Sequence, residues 1–263
     1  MHQTHTRHGW LDKSWRSVSA LLLREMATTY GRSPGGYIWA IAEPAAGIAL
    51  LTFLFSLLFQ APPLGDSFPL FYATGLLPFL IYVQIYTKVM VSIWFSKPLL
   101  NYPTVSFIDT IFSRFLLTLM TQIIVFYLVI TGIFVAFDPN AALDFPQIAL
   151  SLSLIAILGL GVGTLNCLLI SVIPVWQRVW NVLHRPMFLI SGIFFIFEEI
   201  PDPYRSILWF NPLIHVVGIM RRAFYPTYDA TYTSAIYVLL IGLISLVAGL
   251  FFLRRWHKDI LHQ

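Results

Sequence analysis

Six long apolar stretches alternate with short polar segments along this chain of 263 residues. A helix needs roughly 20 apolar residues to cross about 30 Å of hydrocarbon, and each stretch approaches or exceeds that length. The pattern therefore predicts an all-α, polytopic membrane protein with six transmembrane helices, at Ile38–Phe59, Pro69–Trp94, Ile111–Phe137, Ile148–Ile173, Val179–Phe197 and Ser234–Leu253. This divides the chain into a tail with an interface helix (1–33), a six-span domain (34–258) and a C-terminal tail (259–263).

The basic residues between these stretches are sorted by side. With six crossings, 13 of the 16 Lys and Arg residues fall on the side of both termini, and Arg205, Arg221 and Arg222 fall on the other. Cytoplasmic segments of membrane proteins carry the Lys/Arg excess, so we expect both termini in the cytoplasm.

Composition agrees with a membrane protein: 58% of residues are hydrophobic and 11% are charged, and the mean hydropathy is +0.77. The net charge of +4 is spread over several short segments, which disfavours a nucleic-acid-binding surface. The first long apolar run begins near Ile38 and does not follow the pattern of a cleavable signal peptide.

Motifs for catalysis are absent from the sequence. It contains no phosphate-binding G-x-x-x-x-G-K-[ST] loop, no H-E-x-x-H and no G-x-S-x-G, so nucleotide or peptide hydrolysis by these routes is excluded. The single cysteine, Cys167, lies in an apolar stretch, and the histidines form no convincing metal site. We expect neither catalytic residues, nor metal, nor cofactor in this chain.

The N-terminal segment carries an apolar stripe at helical spacing. Its members are Trp15, Val18, Leu22, Met26 and Tyr30, and Arg24 lies off the stripe. The spacing predicts an amphipathic helix in the membrane interface, ended by Pro34 and two glycines. It is either a simple topological anchor or an elbow helix that contacts a cytoplasmic partner or a lipid-linked substrate.

The segment between the second and third spans is short and contains two prolines. Prolines fix the ends of a helical turn but prevent a continued span, so a compact cytoplasmic projection is expected. Any cytoplasmic hairpin would look similar, but a partner enzyme could dock on this one through Lys97, Pro98, Asn101, Tyr102, Pro103 and Asp109.

The segment after the fifth span contains two apolar pieces, Ser206–Phe210 and Leu213–Met220, which are too short to cross the membrane. Proline and polar residues interrupt them, as in short re-entrant helices that border a pathway. A surface hairpin with aromatic anchors is the simpler interpretation. Placing a charged residue at membrane depth costs free energy unless it faces water, Glu198 or Glu199, or an anionic ligand. The candidate substrate contacts are Arg185, Phe194, Phe197, Trp209, His215, Arg221 and Arg222.

Three motifs together resemble a known family: Arg24-Glu25, the stretch from Gly36 through Glu43-Pro44, and Asn211-Pro212-Leu213-Ile214-His215-Val216-Val217. From about Leu21 to Arg255, the chain is similar to the membrane subunits of bacterial polysaccharide-export ABC transporters, especially the capsular polysaccharide export permeases. Where that family often has an acidic residue after the last motif, this chain has Gly218.

The resemblance implies a coupling helix around Lys97–Asp109 and short helices dipping into the membrane around Tyr204–Tyr225. It implies an inner-membrane exporter of lipid-linked anionic polysaccharide, with two copies of a cytoplasmic ATPase subunit that binds ATP and Mg²⁺, and with periplasmic and outer-membrane partners. Six helices are few for a polymer channel, so a homodimer is expected. Export of O-antigen or teichoic acid, or a non-transporting scaffold for glycan synthesis, stays open as an alternative.

Overall fold

A computed structural model of the chain describes residues 10–29, 36–100 and 106–262. Every regular element in these ranges is helical, with one 3₁₀ turn at Phe197–Glu199. The α-helices are α1 (Trp10–Thr29), α2 (Gly36–Leu58), α3 (Phe68–Met90), α4 (Ser92–Leu100), α5 (Phe107–Phe137), α6 (Phe145–Val172), α7 (Trp176–Ile190), α8 (Tyr204–Leu208), α9 (Pro212–Phe224) and α10 (Ala235–His262).

Five of these helices are long and apolar enough to cross a membrane: α2, α3, α5, α6 and α10. Each coincides with a stretch predicted from hydropathy, and the end of α5 at Phe137 matches the prediction. The chain is therefore an all-helical, multi-span membrane protein.

The fifth predicted stretch forms a shorter helix than expected. α7 ends at Ile190, seven residues before the predicted end at Phe197. Gly192 follows with a φ of +79°, a backbone conformation that glycine adopts without steric cost. The apolar residues 191–196 are thus a non-helical strap, which hydropathy alone cannot distinguish from a helix.

The second predicted span also breaks early. α3 ends at Met90, and after one non-helical residue, Val91, the chain continues as the nine-residue helix α4. The expected compact projection is therefore a short helix up to Leu100. Ser106 then begins α5: its hydroxyl accepts from the N–H of Ile108 at 3.2 Å, and its own N–H donates to Asp109 at 3.0 Å. This capping box fixes the start of the next span.

The core of the bundle is formed by α3 and α6. In the most apolar 18-residue stretch of each helix, 72% of the residues of α3 and 61% of those of α6 are buried, against 11% for α2. The backbones of α6 and α10 come close because glycines meet: a Cβ on Gly161 would lie 2.0 Å from the carbonyl oxygen of Gly242. Small residues allow such close packing of transmembrane helices.

The bundle has two ends, which the charge pattern assigns to opposite sides of the membrane. The inner end, predicted to be cytoplasmic, holds the end of α3 and the start of α5, and the outer end holds the starts of α3 and α6. α9 packs against α3 and α6. Near its C-terminus, the carbonyl of Ala223 accepts from the N–H of Asp144, just before α6. Deeper along α6, Ser151 donates to the carbonyl of Val216 at 3.0 Å.

Candidate functional site

His215 lies at the centre of a buried network that ties α9 to α10. The N–H of Ser234 donates to its Nδ1 at 3.2 Å, so the proton resides on Nε2, which donates to the carbonyl of Trp209 at 2.8 Å. The ring is completely buried and contacts those of Trp209 and Tyr237. Both ring nitrogens are therefore engaged within the protein, and this histidine positions the helices around it.

The motif that starts α9 explains why the chain turns there. Asn211 accepts from the N–H of Leu213 at 3.0 Å and caps the helix, and Pro212 occupies its first position. The same side chain donates to the carbonyl of Ile190, the last residue of α7, at 2.9 Å. One asparagine thus joins the end of α7 to the start of α9.

Arg221 fastens the 191–196 strap to the core. Its Nη1 donates to the carbonyl of Phe195 at 2.7 Å, and Nη2 donates to the carbonyl of Ile193 at 3.0 Å. The guanidinium also lies 4.2 Å from the ring centre of Phe71 in α3. Of the partners expected for Arg221, which were water, Glu198 or Glu199, or an anionic ligand, water is ruled out because the residue is only 2% exposed. The unpaired carbonyls of the strap supply its partners, which sequence patterns do not reveal.

The neighbouring aromatic cluster uses the space left by a glycine. A Cβ on Gly218 would lie 2.4 Å from the hydroxyl oxygen of Tyr232, so this tyrosine fills the place of a larger side chain. The ring of Tyr232 stacks on Phe197, with centroids 4.2 Å apart. At the position where the resembled family often has an acidic residue, this chain therefore has Gly218, and the side chain of Tyr232 fills the space.

Glu198, expected as a possible partner of arginine, instead accepts from the hydroxyl of Tyr228 at 2.9 Å. Burial raises the pKa of Tyr228 far above its usual range, and Tyr232 and Glu198 raise it further. The hydroxyl consequently stays protonated and remains a donor at physiological pH.

The other predicted substrate residues do not lie together. Phe194 packs between Phe55 and Phe188, with centroid distances of 5.8 and 5.1 Å. Arg185 and Arg222 are exposed on α7 and α9. Within the described residues the structure brings Trp209, His215, Phe197 and Arg221 into neighbouring clusters and leaves these two arginines apart from them.

A second buried arginine, Arg114, forms a junction at the inner end that sequence reasoning missed. Its Nη2 donates to Glu25 of α1 at 2.7 Å, and Nη1 approaches the carbonyl of Lys88 in α3 at 3.4 Å. Its guanidinium lies 4.2 Å from the ring centre of Phe95 in α4. Arg114 therefore contacts three elements besides its own helix, α5. The acidic residue within the interface helix was the available signal.

Several of the residues predicted for coupling and for the interface helix lie on helices that meet at this junction. Lys97 and Pro98 are on α4, Asp109 is the capping residue of α5, and Leu22 and Arg24 are on α1, which packs against α5. The backbone of Trp15 belongs to α1. Tyr30, Asn101, Tyr102 and Pro103 lie outside the described residues. Among the residues that the structure describes, no group of His, Cys, Asp or Glu could hold a metal ion.

Comparison with known proteins gives consistent matches. The profile of the ABC-2 type transporter family matches residues 16–225. The polysialic acid transport protein KpsM of Escherichia coli is 35% identical over 234 residues, covering 89% of this chain and 91% of that protein. The capsule polysaccharide export inner-membrane proteins CtrC of Neisseria meningitidis and BexB of Haemophilus influenzae are each 28% identical, over 254 and 252 residues, covering 93% of this chain and 92% of each relative.

Proposed function

Because this chain belongs to the ABC-2 type transporter family, we propose that it is the membrane subunit of an ATP-driven exporter of lipid-linked, anionic capsular polysaccharide. The family match confirms the resemblance drawn from the sequence motifs. One observation carries the substrate assignment: relatives aligned along 89–93% of the chain are named for polysialic acid transport or capsule polysaccharide export. We place the protein in the bacterial inner membrane.

The energy for transport comes from a separate subunit in this proposal. The sequence has no phosphate-binding loop, so ATP and Mg²⁺ bind to a cytoplasmic ATPase, of which we propose two copies. The permease itself is a homodimer. Only 11% of the residues in the most apolar stretch of α2 are buried, against 72% for α3. This leaves a face of α2 free for a second copy or for lipid.

We propose that α4 is the coupling helix on which the ATPase docks. It follows α3 directly, and it carries Lys97 and Pro98. Its Phe95 contacts Arg114, which in turn binds Glu25 of the interface helix. A force on α4 would thus reach α1 and α5 through one side chain.

We further propose six crossings, with α7 and the strap as the fifth, and with both termini in the cytoplasm. α7 has 15 residues, a length of about 22 Å at 1.5 Å per residue, and the strap supplies the remaining rise. α8 and α9 would be re-entrant, which is supported by the hydrogen bond from Ser151, two turns into α6, to Val216. The division into 1–33, 34–258 and 259–263 follows this topology.

Thiol labelling tests the crossing by α7. Val175 and Tyr204 flank α7 and the strap, and they are 60% and 65% exposed. In a Cys167→Ser background, a membrane-impermeant maleimide added outside should label Tyr204→Cys at once. Val175→Cys should react only after the membrane is opened. Labelling of both positions from the same side would contradict a sixth crossing.

The path for the polymer would pass the outer aromatic residues Phe194, Phe197 and Trp209, since aromatic rings suit the C–H faces of sugars. Arg185, on the cytoplasmic side by the charge count, and Arg222, at the outer end, are both exposed and are proposed to attract the anionic polymer. The periplasmic and outer-membrane export proteins would receive it at the outer end. Replacing both arginines by glutamine should lower the amount of surface polymer at equal protein level, and an unchanged amount would remove them from the path.

The function as a whole is tested by deletion and recovery. Deleting the gene should abolish surface capsular polysaccharide and leave polymer inside the cell, and the intact gene should restore export. A mild-detergent pull-down of the tagged chain should recover an ATPase at about one-to-one together with a lipid-linked polysaccharide. Recovery of synthesis enzymes alone, with export unaffected by the deletion, would favour the scaffold, and a glycan other than capsule would identify the alternative substrate.

A further inference from the structure

A cavity of about 190 Å³ lies between α2, α3 and α5. Each of the three helices contributes a polar side chain to its wall, although all three are helices of membrane-crossing length and composition. These side chains are Glu43 of α2, Gln84 and Lys88 of α3, and Gln122 of α5. Polar groups at such positions are costly in hydrocarbon and mark sites that hold water or a ligand.

None of these four side chains is buried: Glu43 is exposed, and the other three are partly exposed. Among the residues that the structure describes, none of them donates or accepts a side-chain hydrogen bond, and none forms an ion pair. The buried polar groups of the outer half, in contrast, mostly bond to backbone carbonyls or N–H groups. Polar side chains that line an open cavity without protein partners are free to bond to water or to a ligand there.

The side chains that line the cavity limit the kinds of ligand that can bind there. A carboxylate, two amides and an ammonium group can bond hydroxyls as both donors and acceptors. The charges of Glu43 and Lys88 cancel, so the site does not select a free anion such as phosphate. Trp39 and Phe126 add aromatic surface to the same wall, which suits the C–H face of a sugar ring.

The size of the cavity fits one ring. A protein cavity of roughly 150 Å³ holds a benzene molecule, so about 190 Å³ accommodates a single six-membered sugar ring. Lys88 lies two residues before the end of α3, and its carbonyl is the one that Arg114 approaches at 3.4 Å. The cavity thus lies next to the inner junction.

We propose that this cavity binds one sugar ring of the exported glycolipid at the inner side, before the polymer moves outward. The proposal rests on the proposed function and adds the location and the chemistry of a binding site. In it, Gln84, Gln122 and Glu43 bond ring hydroxyls, and Lys88 bonds a hydroxyl or the sugar's own carboxylate.

Photo-crosslinking in a capsule-producing strain tests the site with the host's own glycolipid. Benzoylphenylalanine replaces Leu80 of α3, an apolar wall residue, and, as a control, Ile124 of α5, which is 58% exposed and does not line the cavity. After illumination, the Leu80 variant should run as a high-mass smear that is absent in a strain making no polymer. The Ile124 variant should give only small phospholipid adducts.

Two outcomes separate the proposals. If both crosslinking variants restore surface polymer but the Leu80 variant gives no smear, the cavity does not bind sugar and the proposed function stands. If the unmodified chain fails to restore surface polymer in the deletion strain, the proposed function fails and this site fails with it.

A substitution pair gives an independent test. Gln122→Leu keeps the shape of the side chain but removes its hydrogen bonds, and we expect about a tenfold lower export rate at low polymer supply. Met120→Leu, on an exposed part of the same helix, should export normally. Equal export by the two variants, at equal protein level and ATPase association, would overturn the sugar site.

Discussion

Among the described residues, two buried arginines share one kind of contact and differ in the rest. Each guanidinium lies 4.2 Å from the ring centre of a phenylalanine, Phe71 for Arg221 and Phe95 for Arg114. Arg221 gives its other bonds to two backbone carbonyls of the strap. Arg114 gives its shortest bond to a side-chain carboxylate, that of Glu25 on the interface helix.

This difference indicates that the contacts of Arg221 are permanent, whereas the ion pair of Arg114 can break. The carbonyls of Ile193 and Phe195 accept from Arg221, so losing this residue removes two hydrogen bonds from the strap. Glu25 is on a helix at the predicted membrane surface, and its carboxylate, 12% exposed, can be hydrated if α1 moves away. We infer that the outer cluster holds its shape during transport, whereas the inner junction changes its contacts.

The largest effect should come from Arg221→Met. Hydrogen bonds to charged groups contribute about 1.5–3 kcal/mol each, so losing two should cost about 3 kcal/mol or more. We expect a strongly lowered midpoint of thermal unfolding in detergent and a low yield of folded protein. The adjacent Arg222→Met removes the same charge from an exposed position and should leave the midpoint nearly unchanged.

Equal behaviour of the two arginine variants would show that the strap does not depend on Arg221. Lysine at position 221 adds a finer test. It keeps the charge but lacks the planar fork that reaches both carbonyls, so we expect a stability between that of the wild type and that of Arg221→Met.

A smaller and different effect is expected from Glu25→Gln. It neutralises the carboxylate bound by Arg114 but keeps the shape of the side chain, and should cost about 1–3 kcal/mol. The fold should survive, because the contacts of Arg114 with Lys88 and Phe95 do not involve Glu25. Export and ATPase coupling should fall more than stability does. The reverse outcome is unfolding of much of the protein with normal coupling in the part that stays folded. It would mean that the contacts of the inner junction are as permanent as those of Arg221.

The sequence predicted the membrane helices well because their signal is local. Twenty or more apolar residues in a row identify a span without knowledge of its neighbours, and α2, α3, α5, α6 and α10 followed that rule. A short helix at α9 was one of the two interpretations of the apolar piece Leu213–Met220, and Asn211 and Pro212 lie at its start. The presence of this helix therefore followed from the sequence.

The side-chain contacts at the outer end did not follow from the sequence. Arg221 was expected to face water, Glu198 or Glu199, or an anionic ligand, and the structure pairs it with carbonyls 26 and 28 residues earlier in the chain. Which backbone groups stay unpaired depends on where α7 ends, and the apolar residues 191–196 gave no sign of that end. Likewise, Glu25 and Arg114 are 89 residues apart, and a charge count by side cannot pair them.

The smallest effect should separate the two cation–π contacts. Phe71 is completely buried, whereas Phe95 is 46% exposed. A desolvated contact contributes about 2 kcal/mol and an exposed one about 0.5–1 kcal/mol. Double-mutant cycles, Phe71→Leu with Arg221→Met and Phe95→Leu with Arg114→Met, isolate these coupling energies from the packing lost with each ring. Reversible unfolding in mixed detergent should give a larger coupling for the outer pair. Equal couplings would mean that the rings do not distinguish the two ends, and that the difference lies wholly in what else each arginine binds.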